Sequence, residues 1–188
     1  MLLQLTYQLN TARQKLRQKE FAAAEALVRN ILYEEPDFPE ALCLMGIILT
    51  ETGRQPEALK VLRYLFILDD TNPAAWEAYG CAHLRLRSYS QAEAAFLRAL
   101  EIDDKLASTL RNLGVLYSLQ HRNVQCYEVL KRAEQLDPDD LLTMYALSSA
   151  HLQFGNQAAA RELLERLVAD SVPADIREYA RQALAQLA

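Results

Sequence analysis

Residues 73–100 read PAAWEAYGCAHLRLRSYSQAEAAFLRAL, and this stretch decides the fold. Gly80 and Ala92 stand twelve residues apart, ringed by Trp76, Tyr79, Tyr89 and Phe96, and the run closes on Ala99-Leu100. Moved by 34 residues in either direction, the pattern returns. Written in rows of 34 from Leu5, the chain fills five rows to Ala174 in one register with no insertion or deletion. The eighth column is small throughout (Ala12, Gly46, Gly80, Gly114, Ser148), and so is the twentieth (Ala24, Ala58, Ala92, Cys126, Ala160). All five glycines fall in two columns, the eighth and the fifteenth, the latter holding Gly53 and Gly155. Self-similarity at this period is the mark of stacked helix–turn–helix units.

A stack of this kind is one quasi-linear solenoid in which each unit touches its neighbours, so the 188 residues are expected to form a single domain over 1–188. Its rows are 5–38, 39–72, 73–106, 107–140 and 141–174, with a capping helix in 175–188. The chain is 51% apolar with a net charge of −5 and no basic block, which speaks against nucleic acid. Met1 to Leu9 is too short to span a bilayer and leads into Arg13, Lys15, Arg17 and Lys19 instead of a cleavage site. It reads as the start of the first helix, and no membrane insertion is expected. Three cysteines, Cys43, Cys81 and Cys126, an odd number inside predicted helices, fit free thiols and a cytoplasmic location.

Breakers set the helix boundaries. Pro36, Pro39, Pro73, Pro138 and Pro173 lie between helices or at their first positions, and Pro56 lies in a first turn, where its missing N–H removes no intrahelical bond. Gly53 and Gly155 end helices, and Asn123 or Asn156 can cap the next. The predicted pairs are 5–18 with 21–34, 39–52 with 55–68, 73–86 with 89–102, 107–120 with 123–136, and 141–154 with 157–170, followed by a helix near 175–187.

Columns four, seven and eleven, for example Trp76, Tyr79 and His83, recur at i, i+3, i+7 and are expected to fill the space between the two helices of a pair. Column eight is expected to face column twenty, so that Gly46, Gly80 and Gly114 meet Ala58, Ala92 and Cys126. Columns twenty-four and twenty-seven, with Leu62, Phe96 and Leu65 among them, should bury against the next pair.

Pro73-Ala-Ala-Trp76-x-x-Tyr79-Gly80 followed by Tyr89-x-x-Ala92-x-x-x-Phe96-x-x-Ala99-Leu100 resembles the tetratricopeptide repeat (TPR). The likeness covers about nine-tenths of the chain. It implies an all-α, right-handed superhelical array of five helix–turn–helix repeats plus a C-terminal capping helix. Row one departs from the pattern at Gln8 and Lys15, as an end unit does. Row four has Asn123 for the usual tyrosine, and rows two and three have Asp70 and Asp104 for the usual proline.

The resemblance implies a binding groove lined by the first helix of each repeat and a protein or peptide partner. The groove positions here include Arg13, Arg17, Cys43, Ile47, Glu77, Cys81, Arg85, Arg111, Val115, Tyr145 and Ser149. Ile47, Cys81, Val115 and Tyr145 are expected to form one apolar strip, with Arg13, Arg85 and Arg111 at its flanks for ligand acids. The alternative is that Cys43, Ile47 and Cys81 seal neighbouring helices and that Glu77 pairs with Arg111. TPR domains that clamp a chaperone's C-terminal carboxylate carry lysines in this groove; Asn10 and Asn112 are present but the lysines are absent, so no such clamp is expected.

No catalytic, metal or cofactor site is expected. His83, His121 and His151 stand far apart with no metal-ligand spacing, and every glycine is taken by packing or capping. Asp69-Asp70, Asp103-Asp104 and Asp139-Asp140 read as turn and helix-start residues. The function implied is that of an adaptor or assembly scaffold, with homo-oligomerisation through an end repeat open. A second reading, a type III secretion chaperone for an apolar translocator protein, rests on the resemblance of Leu65-Phe66-x-Leu68-Asp69, Trp76, Gly80-Cys81 and Tyr89 to that class.

Overall fold

The computed structural model describes residues 2–187, and side chains over 4–187. Among the described residues it holds eleven helices and no strand. Five consecutive pairs run α1 (Leu2–Arg17) with α2 (Phe21–Glu34), α3 (Pro39–Glu51) with α4 (Gln55–Leu68), α5 (Pro73–Arg85) with α6 (Tyr89–Ile102), α7 (Ala107–Leu119) with α8 (Asn123–Leu136), and α9 (Leu141–Gln153) with α10 (Gln157–Arg166). A lone α11 spans Ala174–Gln186. The expected starts at 39, 55, 73, 89, 107, 123, 141 and 157 are the observed ones. The main departure is α10, which ends at Arg166 instead of running to 170. There the chain turns early, Val172 tucks in at 4% exposure, and α11 packs back on α10.

The fifteenth column explains how each first helix stops. Lys19, Gly53, Arg87, His121 and Gly155 all have positive φ, between 58° and 81°. Each sits in the same double hydrogen-bonded cap: Arg87 N–H donates to the Leu84 carbonyl at 3.0 Å and Ser88 N–H to the His83 carbonyl at 2.9 Å. That is the Schellman geometry, whose left-handed residue is cheapest as glycine. Three rows therefore carry a side chain where the backbone disfavours one. We expect Arg87→Gly and His121→Gly each to stabilise by about 0.5–1 kcal/mol, the relief of left-handed strain less the added freedom of the unfolded chain. Thermal melts should rise by a few degrees at most; a fall for both would contradict this account.

At the N-termini, Asn72 accepts from the N–H groups of Ala74 and Ala75, Asp140 from Thr143, and Asn156 from Ala159. Asn123 is not a cap, contrary to expectation: it is the first residue of α8, and Arg122 stands in the cap position.

The chain gathers into two compact units, one up to Asp103 and one from Asp104. In the first, Leu5, Leu9, Val28, Ile31, Met45 and Ile48 belong to one apolar cluster, and Leu42, Cys43, Leu62, Leu65, Ala75 and Ala78 to another. The glycine partners differ from those expected. A Cβ on Gly46 would come within 2.4 Å of Leu62, one on Gly80 within 2.5 Å of Phe96, and in the second unit one on Gly114 within 2.7 Å of Leu130. The side chain nearest the small eighth column is thus column twenty-four of its own pair, ahead of column twenty. The reason is the tilt of helical side chains toward the N-terminus: Leu62, one turn beyond Ala58, leans back over it and fills the crossing. Column twenty is small so that this can happen.

The aromatic members of columns four, seven and eleven meet the preceding pair, not only the second helix of their own. Trp76 stacks on Phe66 of the preceding pair with centroids 3.9 Å apart, Tyr79 meets the same ring edge-on at 5.4 Å, and His83 follows Tyr79 at 4.6 Å. In the second unit His151 packs edge-on against Tyr127 of α8 in the same way. These faces therefore join one repeat to the one before it.

Candidate functional site

The candidate surface is made by the first helices, so α1, α3 and α5 carry it in the first unit. Arg13 and Arg17 are exposed on the later turns of α1, and Arg13 donates to the Asn10 side chain at 3.5 Å. Ile47, Glu77 and Cys81 are half-buried. Cys43 is sealed in, as the alternative reading held: it is 6% exposed, and burial pushes its thiol up to about 11. It is no ligand contact and no reactive group. Arg85 is not held out for a ligand either. Its guanidinium donates to the Thr50 carbonyl and, at 3.1 Å, to Glu51, tying the end of α5 to the end of α3.

In the second unit Arg111 is likewise taken up inside the fold. It pairs with Asp140 at 2.5 Å, both side chains only 18% exposed. Burial would raise the Asp140 carboxyl, but hydrogen bonds from Thr143 and Arg111 outweigh it and hold the acid below its ordinary range. One carboxylate thus caps α9 and anchors α7 to it. Of the arginines expected to flank the groove, Arg85 and Arg111 are inter-helix ties.

What the second unit does present is apolar. Val115, Leu119 and Tyr145 are 38%, 53% and 36% exposed. With Ser118 and Ser149 at the rim they surround a concavity of about 250 Å³, backed by Gly114, Cys126 and Leu130. A second hollow of about 260 Å³ adjoins it across Tyr145, walled by Leu142, Ile176 and Tyr179. Tyr179 leans on Tyr145 at 4.2 Å, and its hydroxyl shares a 2.5 Å hydrogen bond with Ser149. Tyr179 is absent from the sequence-derived site because α11 reads there only as a cap. The signal that could have placed it is the spacing of Ile176, Tyr179, Ala180 and Ala183, one helical face turned toward the fifth repeat.

The remaining chemistry-bearing residues serve packing. His83 and His151 are 7% and 6% exposed, and burial, helped by Arg63 and Lys131 respectively, lowers both imidazoles. The three cysteines are unbridged. Among the described residues no three His, Cys, Asp or Glu side chains gather as a metal would need, and no helix is long and apolar enough to cross a membrane.

Consecutive helical pairs, each closed by a small–large crossing, define a repeat module of the kind that serves protein–protein interaction. Tetratricopeptide repeat models match residues 73–106 and, in a second form, 9–73 and 128–176; the chain belongs to the tetratricopeptide repeat family. A thermophilic TPR protein of Thermus thermophilus superposes with a TM-score of 0.84 at 21% identity, over 96% of this chain and 99% of that one. Anaphase-promoting complex subunit 3 of Schizosaccharomyces pombe is 21% identical over 140 residues, 74% of this chain and 21% of that protein. The auxiliary subunit NAA15 of the N-terminal acetyltransferase A complex of Arabidopsis thaliana is 28% identical over 153 residues, 80% of this chain and 16% of that one. The chain thus spans about a fifth or less of the length of these two relatives.

Proposed function

We propose that the chain is a non-catalytic adaptor that holds an apolar segment of a partner protein against the first helices, and that its main anchor point lies in the second unit at Val115, Leu119 and Tyr145. The observation that carries this reading is the concavity at those residues, where three large apolar side chains stay exposed beside the hydroxyls of Ser118 and Ser149. An exposed apolar hollow rimmed by polar groups is the usual form of an interaction site. In the first unit Cys43 is buried and Arg85 is engaged, which leaves less to offer. The two relatives named above are subunits of multiprotein complexes by their names, which favours an assembly role. Three unbridged thiols favour a reducing, cytoplasmic setting.

The test is co-purification of the tagged chain from its native cell, followed by titration calorimetry with the partner so identified. Val115→Glu and Leu119→Glu place an unpaired charge in the hollow and should weaken binding by about 2–4 kcal/mol. Arg13→Ala should weaken it slightly and mainly at low salt, as a screened contact does. A partner that binds both glutamate variants as tightly as the parent would sink the proposal.

A further inference from the structure

The second helices carry a surface that the groove reading leaves unused. On α4, Pro56, Leu59, Lys60, Arg63, Tyr64 and Ile67 follow the i, i+3, i+4, i+7 rule and form one stripe about 16 Å long. With Leu86, at the end of α5, they line an open trough of about 480 Å³. Ile67 is 80% exposed, Leu86 45% and Tyr64 42%, the larger apolar share of a face that the buried Ala58, Leu62 and Leu65 do not need.

Its charge sets this stripe apart from the same positions in the other repeats. There α2 sets Glu25 against Arg29, α6 sets Glu93 and Glu101 against Arg98, α8 sets Glu128 against Lys131 and Arg132, and α10 sets Glu162 and Glu165 against Arg161 and Arg166. Two of these sets form ion pairs, Arg29 with Glu25 at 2.6 Å and Arg98 with Glu101 at 3.0 Å. On α4 the stripe has Lys60 and Arg63 and no acid. Among the described residues neither has a carboxylate partner; Arg63 donates through Nε to the Tyr79 hydroxyl at 3.2 Å. Asp37 borders the stripe and is occupied by the Tyr64 hydroxyl. Two unneutralised cations beside exposed Tyr and Ile, on a chain of net charge −5, make a local feature that long-range attraction would not produce.

We propose that the α4 stripe is a second docking surface, and that its occupant is an amphipathic helix of a partner protein with apolar residues on one face and carboxylates along the edge. Apolar side chains of that helix fill the trough at Ile67, Tyr64 and Leu86, and its acids meet Lys60 and Arg63. The charges set which helix is accepted; the buried apolar area sets how tightly. A chain with this stripe and a groove on the first helices can hold two partners at once.

The probe is a synthetic amphipathic helix of about four turns with leucines at i, i+3, i+4 and i+7, made in three forms with Glu, Gln or Lys at the flanking positions. Each is titrated into the full-length ¹⁵N-labelled chain and followed by amide shifts. The Glu form should perturb amides over 56–67 and at Leu86 and bind at least five-fold more tightly than the Gln form, with the Lys form weakest. In the double variant Lys60→Glu/Arg63→Glu, with circular dichroism unchanged, the order of Glu and Lys forms should reverse. Ile67→Ser should weaken every form at least five-fold. Equal binding of the three peptides, shifts confined to other residues, or concentration-dependent self-association removed by Ile67→Ser, which would make a second copy the occupant, would each overturn the proposal. Val115→Glu should leave these titrations unchanged, so that failure here and failure of the groove are told apart.

Discussion

Gly80→Leu should lower the unfolding free energy by about 2–3 kcal/mol. The crossing of α5 and α6 is closed by the Phe96 ring, which is fully buried, and a first side-chain carbon on Gly80 already falls 2.5 Å from it. A leucine there can be fitted only by moving the ring or parting the helices, and overpacking of this kind typically costs about 1–3 kcal/mol against a helix-propensity gain of under about 1 kcal/mol. Phe96→Ala alone should cost about 3–5 kcal/mol by leaving a cavity. The two changes fill and empty the same space, so the double variant should be more stable than the sum of the single losses predicts, with a coupling of about 1–3 kcal/mol. Denaturant melts of the four proteins measure it. Strict additivity would mean that Gly80 and Phe96 do not share the crossing.

That experiment also separates what the sequence could say from what it could not. Repeat length, helix starts and the small columns are properties of one chain read against itself, and they are visible because a strict 34-residue register repeats every structural requirement. The partner of each glycine is not the one the columns point to, although both small columns do mark the crossing. Sequence spacing gives the face of a helix but not the lean of a side chain along it, and that lean carries Leu62, Phe96 and Leu130 back over the crossing. The same limit applies to Trp76, Tyr79 and His83, whose common face is legible in the spacing while the helix it meets, α4, is not.

The site was less legible than the fold. Groove columns can be counted, but whether an arginine there is offered to a ligand depends on the carboxylates and carbonyls within its reach. Arg85 lies 35 positions after Thr50 and 34 after Glu51, so that tie links one row to its neighbour at about one repeat length, while Arg111 lies 29 positions before Asp140, the last residue of its own row. A periodic chain brings residues one period apart together, and a search for opposite polar groups at that offset would have found the Arg85 tie but not the Arg111 one. Val115 stands at one of the counted groove positions, and it and Leu119 remain exposed in their own unit.

Removing residues 174–188 should destabilise the second unit and make the chain self-associate. Three leucines of the last repeat, Leu163, Leu164 and Leu167, are 6%, 0% and 0% exposed, and α11 packs on the helix that bears the first two, with Ala180 and Ala183 buried on its inner face. Ala158, near the start of α10, is exposed and takes no part. Uncovering even half of that leucine surface costs about 2–4 kcal/mol at the usual worth of a buried aliphatic side chain and leaves a contiguous apolar patch at the array's end. Terminal repeats need a cap for this reason. The truncated chain should therefore melt earlier and elute larger with rising concentration. Should truncation prevent folding altogether, Ala183→Asp gives a milder test, since it places a carboxylate at a position only 7% exposed and should shift the melt downward while retaining helical content. Tyr179→Ala isolates the other role of α11, because it uncovers Tyr145 and removes the hydrogen bond to the Ser149 hydroxyl. A truncated chain that stayed monomeric, with the parent's melting temperature, would show that α11 is an appendage and that the fifth repeat closes the array by itself.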